Sequence, residues 1–420
     1  MTPPSPDQPT NSVERRHFVF FGVPLYGHLK PTLGLVEELV RRGHRVTYVM
    51  AERFADEVAE TGATVLCHPS TFHEYSVPMN AHDTIMAFTR ESFAPLPGVL
   101  AHLDEFPPDV IAYDILVSDS ALVAARKFGV PTVRLHAGFG SNDSVPIGHV
   151  GTAEAPEQDS ELDPAHPDFV ALGEEVDRLI AEADAEAFLR SPEDAPDPGD
   201  LNLVFVPEAF QISRETFDDS FVFAGPCMRE LDLADTWTPP ADGRPVVLIS
   251  LGTTTNNVPE FFRDCARAFA DLPWHVVMTL GRDLDPAALG NLPDNVEVHQ
   301  WIRQHSVLRH AALVINQGGT GGVMEALYWG LPVVAVTRGD DTRVCAHQIV
   351  RLGLGRRIPG EDVTPEILRD LALEVYRDDE ARANARAMRE HVRESGGASS
   401  TADRLEELLD TATQGGHAVR

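Results

Sequence analysis

The sequence predicts an α/β protein built from two doubly wound, Rossmann-like domains that face each other across a cleft. Three observations lead there. From residue 17 onward, short apolar runs alternate with stretches of helical period, the pattern of parallel sheets covered by helices on both faces. The alternation breaks at a Pro- and Asp-containing segment, residues 226–245, and then restarts. A length of 420 residues asks for two or three domains, and a 43% hydrophobic composition can fill their cores.

Taken in order, residues 1–16 are polar and Pro-rich and read as a disordered tail. They show no apolar stretch after a basic start, so they are not a secretory signal. The first domain, residues 17–225, opens with a buried strand at 17–23. A helix follows at 31–42, with Leu33, Val36, Leu39 and Val40 at helical spacing, Pro31 at its first position and Gly43 as its stop. Strands are expected at 45–50, 108–114 and 130–135, with a helix through 121–128. Acidic, Pro-rich stretches at 152–167 and 191–200 read as surface loops around a helix near 169–189, and 202–206 and 221–224 as the last strands. Beyond the linker at 226–245, the second domain, residues 246–399, repeats the pattern. Its strands are expected at 246–251, 275–280, 296–301, 313–316 and 333–336, and its helices at 260–272 and 321–329. A final helix at about 400–413 can pack back on the first domain, and residues 414–420 fray.

Composition narrows the function. The four cysteines are far apart and form no CxxC pair, so neither a zinc site nor a disulfide framework is indicated, and a reducing, cytoplasmic location fits. No apolar run is long enough to span a membrane. A net charge of −31 repels nucleic acid and anionic membrane. An anionic ligand must therefore be held by local donors. A homodimer is the one assembly left open.

Two constellations carry chemistry. His28 lies in Gly22-Val-Pro-Leu-Tyr-Gly-His-Leu-Lys-Pro31, in the turn between the first strand and the first helix, where Gly22 and Gly27 allow tight turning. Asp114 closes another strand of the same sheet. An acceptor hydroxyl needs a base to take its proton, and an imidazole oriented by a carboxylate can supply it. Taken singly, His28 also reads as a helix N-terminal polar residue and Asp114 as a cap. In the second domain, Asn316-Gln-Gly-Gly-Thr-Gly-Gly-Val-Met-Glu325 follows an apolar strand and opens a helix. Its amides could hold a diphosphate without a metal, although such turns also serve close packing. Ser250-Leu-Gly-Thr-Thr254 could meet phosphate as well. Trp301, in Gln300-Trp-Ile-Arg-Gln304, offers an aromatic face for a nucleobase or for packing. Asp340 and Asp341 could take sugar hydroxyls or form a charged loop. Asp283-Leu-Asp285 precedes Pro286, so helix capping explains it better than metal binding.

Together these segments resemble the nucleotide-sugar glycosyltransferases of the GT-B architecture, in the bacterial macrolide and antibiotic branch. The likeness runs from about residue 17 to 409. It is strongest in Gly27-His-Leu-Lys-Pro31, in Tyr113-Asp114, in residues 250–280, in Leu292-Pro-Asp-Asn-Val-Glu-Val-His-Gln-Trp301, in Gly330-Leu-Pro-Val333 and in Arg351-Leu-Gly-Leu-Gly355. The resemblance implies an inverting, metal-independent hexosyltransferase acting between a UDP- or TDP-sugar and a hydroxyl of a small apolar acceptor such as a macrolide or polyketide antibiotic. It implies His28 as base and Asp114 as its partner. For the nucleotide sugar it implies Gly252, Thr253, Thr254, Trp301, Ile302, Gln304, Gln317, Gly318, Gly319, Thr320, Gly321, Gly322, Glu325, Asp340 and Asp341, with Trp301 on the base, Glu325 on the ribose and Asp341 on the sugar. No cofactor or metal is expected.

Three positions depart from the family pattern: Gln317 replaces a diphosphate-binding His, Thr342 replaces Gln beside Asp341, and Arg303 replaces Pro. Gln can donate a hydrogen bond but carries no charge. A deoxysugar donor has less need of the amide missing at 342. The departures also admit a catalytically weak auxiliary or ligand-binding protein. A nucleotide-sugar epimerase fits less well, having no need of His28. The acceptor is expected between the His28 loop and residues 72–79, 88–93 and 136–147, lined by Tyr26, Phe72, Met79, Phe88, Phe93, Phe139 and Ile147, though most of these also suit an ordinary core.

Overall fold

A computed structural model describes residues 14–74, 79–146, 163–189, 199–253 and 256–415. The first sheet has seven strands: β1 (His17–Phe21), β2 (Arg45–Ala51), β3 (Thr64–His68), β4 (Val110–Asp114), β5 (Thr132–His136), β6 (Leu201–Val204) and β7 (Phe221–Phe223). All pairs are parallel, in the order β3-β2-β1-β4-β5-β6-β7. Helices α1 (Tyr26–Arg41), α2 (Ala55–Ala59), α3 (Ala81–Phe93), α4 (Leu96–Glu105), α5 (Asp119–Phe128) and α6 (Pro167–Glu182) accompany them. Strand periodicity divides the side chains between two cores. Phe18 and Phe20 pack with Leu33, Val36 and Leu39 of α1, while Val19 and Phe21 pack with Leu100, Leu103 and Ala121.

The second sheet repeats the plan with β8 (Val246–Ser250), β9 (His275–Thr279), β10 (Val296–His299), β11 (Ala311–Asn316), β12 (Val333–Thr337) and β13 (Gly355–Pro359), in the parallel order β10-β9-β8-β11-β12-β13. Its helices are α7 (Pro259–Phe269), α8 (Gln304–Leu308), α9 (Thr320–Tyr328), α10 (Asp340–Arg351), α11 (Pro365–Arg377) and α12 (Asp379–Glu394). Strand order reverses beside β1 and β4 in one sheet and beside β8 and β11 in the other. Such switch points open crevices at the carboxyl ends of the strands.

The two halves share apolar packing. Val204, Val206 and Phe210 join one core with Val314, Val323 and Ile349, and Gln348 Nε2 donates to the Phe210 carbonyl at 2.8 Å. The last helix, α13 (Gly397–Gly415), returns to the first sheet, where Ala402, Leu405 and Leu409 enter the core that holds Leu33 and Leu39. Arg42 bonds Asp403 and Glu406 beside them.

One expectation is corrected. The first helix starts at Tyr26, so Pro31 is its sixth residue and His28 lies in its first turn instead of ahead of it. Pro31 is tolerated because it stands near the N-terminus and forgoes a single intrahelical bond. Gly27 also lies inside this turn, with open space where a Cβ would be, so no tight turn requires it.

Candidate active site

β1 and β4 are neighbours with Phe21 opposite Tyr113, so Asp114 ends its strand beside Gly22. The chain then climbs through residues 22–25 into α1, and its first turn brings His28 over that strand end. His28 Nδ1 donates to Asp114 Oδ2 at 2.7 Å. Asp114 Oδ1 accepts from the Leu116 amide at 3.0 Å, which fixes the carboxylate. Asp114 is buried, whereas His28 keeps 27% of its side chain accessible at the cleft. With the proton on Nδ1, Nε2 is the basic nitrogen.

Across the cleft, two turns meet at the ends of β8 and β11. Ser250 Oγ accepts from Gln304 Nε2 at 3.1 Å and from the Gly252 amide at 3.3 Å. Buried Asn256 holds the same turn, its Nδ2 donating to the Gly252 carbonyl at 2.9 Å. Gly252 has φ +73°, and a Cβ there would stand 2.8 Å from Gln317 Nε2. Thus the Gln317 amide lies between the two turns. Asn316 Oδ1 accepts from the Gly318 amide at 2.9 Å, shaping the entry to α9, whose first turn is Thr320, Gly321 and Gly322. A Cβ on Gly138, after β5, would come within 3.3 Å of Thr320 Oγ1, so the α9 N-terminus abuts the first domain.

Glu325, in the second turn of α9, is buried and ion-paired across the cleft with Lys30 of α1. Burial alone would raise the Glu325 carboxyl, but Lys30 and then His305 hold it below its ordinary value. Burial likewise opposes charge on Lys30, and Glu325 outweighs it and lifts the ammonium above its usual range. His305 Nδ1 accepts from Trp329 Nε1 at 3.0 Å, which leaves its proton on Nε2, 3.9 Å from Glu325 Oε1. That buried N–H has no hydrogen-bond partner.

Trp301 is 51% exposed beyond the end of β10. The Arg282 guanidinium lies 5.2 Å from its ring centre, and Tyr26 of the first domain lies 6.0 Å from it. Tyr26 donates to Glu57 Oε1 at 2.5 Å and accepts from Arg282 Nη2 at 2.9 Å. Trp301, Gln304, Gln317, Thr320 and Glu325 therefore share one wall of the cleft, with His28 and Asp114 opposite. Ile302 turns into the shared core. Thr253 lies in the turn after β8, and Thr254 falls outside the described residues. Asp340 and Asp341 open α10, and their side chains are outside the description. Thr342 is buried and donates to the Gly339 carbonyl at 2.9 Å, so its hydroxyl is committed locally.

Of the residues expected to line an acceptor, Phe72 and Phe88 meet edge to face at 5.1 Å. They cluster with Met79, Val23 and Leu25, next to the His28 turn. Phe93 packs with the core of α4 and α5, and Phe139 stacks on Phe210 at 5.5 Å. Ile147 lies outside the described residues. A recess lined by Gly22, His68, Glu91 and Val117 sits behind the cluster. Burial pushes the Glu91 carboxyl up to about 7, and Ser70 Oγ donates to it at 2.6 Å.

Among the described residues, one group could offer three metal ligands: His82, His166 and Asp168. It lies between the start of α3 and the start of α6, and His166 Nδ1 already accepts the Asp168 amide at 3.3 Å. The group stands outside the cleft residues named above. Lys30, Ser250, Asn256, Glu57 and Arg282 were not singled out from the sequence. Lys30 and Ser250 carried a signal, Lys30 being inside the Gly27–Pro31 motif and Ser250 opening the Ser250–Thr254 turn.

Comparisons with known proteins find relatives along nearly the whole chain. Residues 266–408 match the family model described as erythromycin biosynthesis protein CIII-like, C-terminal domain. The chain is 33% identical to the NDP-glycosyltransferase YjiC of Bacillus subtilis (strain 168), over 94% of this chain and 98% of that protein. It is 35% identical to the demethyllactenocin mycarosyltransferase of Streptomyces fradiae, over 97% and 89%. Among solved structures, it superposes on the calicheamicin glycosyltransferase CalG4 with a TM-score of 0.78 and 36% identity, covering 95% of this chain and 99% of that one.

Proposed function

The chain belongs to the bacterial nucleotide-sugar glycosyltransferases of GT-B architecture, the family of the macrolide and antibiotic glycosyltransferases, and on that footing we propose that it moves a sugar from a nucleoside diphosphate to a hydroxyl of a small apolar natural product. The observation that carries this reading is the 2.7 Å bond between His28 and Asp114 at the mouth of the first sheet, opposite the glycine-rich opening of α9.

In the proposed reaction, His28 Nε2 takes the acceptor proton as the oxygen attacks the anomeric carbon. Asp114 stabilises the imidazolium that forms. The diphosphate leaves with the bonding electrons toward the amides of Thr320, Gly321 and Gly322 and the Gln317 side chain. Oriented donors and the helix N-terminus offset its charge without a metal. Base and leaving group belong to opposite walls, which favours a single displacement with inversion. Trp301 takes the nucleobase and Glu325 the ribose, and Asp341 is assigned to the sugar. Because Thr342 spends its hydroxyl on Gly339, we favour a deoxysugar with fewer hydroxyls to satisfy. The name of the Streptomyces fradiae relative, a mycarosyltransferase, is in keeping with a macrolide or polyketide acceptor. The reaction belongs in the cytoplasm, where the exposed thiol of Cys67 stays reduced. A protein that only binds ligands is not favoured, since the full-length relatives above are transferases by name.

Calorimetric titration with uridine and thymidine diphosphates, in the presence of EDTA, tests the donor half. Binding with a Kd on the order of micromolar is expected. NMR of the product should show an inverted anomeric configuration. Absence of binding to either nucleotide by folded protein, or a retained configuration, contradicts the reading.

A further inference from the structure

We propose that Lys30 is a donor-site residue lent by the opposite domain: it guards Glu325 while the site is empty and turns to the donor's diphosphate when the ribose takes Glu325. The inference rests on the donor site proposed above and adds a ligand to it.

Four observations carry it. First, Lys30 and Glu325 pair across the cleft, so a side chain of the acceptor domain already stands inside the donor wall. Second, a buried donor beside Glu325 is unsatisfied. The Nε2–H of His305 stands 3.9 Å from Glu325 Oε1, too far to bond it, and has no hydrogen-bond partner, as expected where a hydroxyl-bearing ligand should sit. Third, the side chain seated at the phosphate end, Gln317, is uncharged. Gln317 lies between the two turns where a diphosphate would sit, and a neutral amide cannot balance a dianion. Fourth, Lys30 is in range. Glu325 is five residues beyond Thr320 on α9, about 7.5 Å along the axis at 1.5 Å per residue. A lysine stem can swing its ammonium over that distance, and 40% of this side chain remains accessible.

The exchange is feasible energetically. An ion pair with one buried partner contributes little net stability, because desolvation of Glu325 offsets much of the attraction. Breaking it is costly only if one charge is left alone. Here neither is: the ribose hydroxyls and His305 take over Glu325 as Lys30 meets phosphate. Glu325 keeps Lys30 protonated, so the full charge is available on arrival. His28 and Lys30 are two residues apart on α1 and point to different partners. Donor capture would thereby pull on the helix that carries the base.

The test separates phosphate from nucleoside. Full-length wild type, Lys30→Met, Lys30→Arg and Glu325→Gln are titrated calorimetrically with inorganic pyrophosphate, with uridine and thymidine, and with their diphosphates, after thermal unfolding has shown each to be folded. Lys30→Met should weaken pyrophosphate and the diphosphates by about tenfold or more. It should leave the nucleosides within about twofold, and Lys30→Arg should restore the loss. Glu325→Gln should act with opposite signs, weakening nucleosides while tightening pyrophosphate, because it releases Lys30. Unchanged pyrophosphate binding in Lys30→Met overturns the proposal and leaves Lys30 as a clamp on Glu325. Equal losses for nucleoside and diphosphate also overturn it, by showing that Lys30 only orients Glu325. Failure of wild type to bind either diphosphate removes the donor site itself, which the variants alone would not reveal.

Discussion

His28 and Asp114 acquire their roles from each other. Each alone is an ordinary helix-terminal or strand-terminal polar residue, and the 2.7 Å bond holds the imidazole in one tautomer, which the proposed base requires. This pair was legible in the sequence because both residues follow strands that parallel topology makes neighbours. Glu91 was not legible, since nothing in the pattern of α3 marks one acidic residue for burial. Its carboxyl titrates near 7 in the folded chain and around 4.5 when unperturbed. Between those values the folded state holds a proton that the unfolded state has released, so stability falls as pH rises through that window and levels off above it. Glu91→Gln should remove this slope. Measured by urea unfolding at pH 4.5 and pH 8, the wild type should lose on the order of 3 kcal/mol more than the variant. Parallel losses in both proteins would show that Glu91 ionises normally.

At the scale of elements, legibility followed burial. The central strands β1, β4, β8 and β11 are continuous apolar runs, and the sequence reads as strand at each. The edge strands β3 and β13 went unread. β13 is Gly-Arg-Arg-Ile-Pro, whose charges suit an edge and disguise the strand. The start of α1 was set five residues late because Pro31 looks like a first residue, while the proline in fact stands inside the helix. Close packing of α1 was equally invisible. A Cβ on Gly34 would lie 2.2 Å from the Cys227 carbonyl oxygen, so the helix presses flat against the linker. In an exposed helix, Gly→Ala gains about 1 kcal/mol. Here the clash is with backbone that cannot rotate away, and overpacking of this kind costs about 1–3 kcal/mol or more. Gly34→Ala should therefore lower the denaturant midpoint. A raised midpoint would mean that the linker yields.

Over the whole molecule, the chain order of the domains and their packing differ. α13 follows the second domain in sequence yet completes the first, with Leu405 fully buried beside α1. Leu405→Ala should remove about 2–5 kcal/mol. Hydrogen exchange should show the lost protection in α1, β1 and β2 ahead of β8–β12. Loss confined to the second domain would contradict this packing. The two-domain plan was legible because the α/β pattern restarts after the linker. The cross-cleft pairs, Lys30 with Glu325 and Arg282 with Glu57, were not, because separations of 295 and 225 residues leave no local trace.

The central claim is that His28, held by Asp114, is the base of a sugar transfer. It is tested most directly by single-turnover transfer from a TDP-6-deoxysugar, with UDP-glucose alongside, to a fluorescent hydroxycoumarin, comparing wild type with His28→Ala and Asp114→Asn. The account predicts product from wild type and a rate lower by roughly a hundredfold or more in either variant, with nucleoside diphosphate affinity unchanged. Transfer at the wild-type rate by His28→Ala would contradict it.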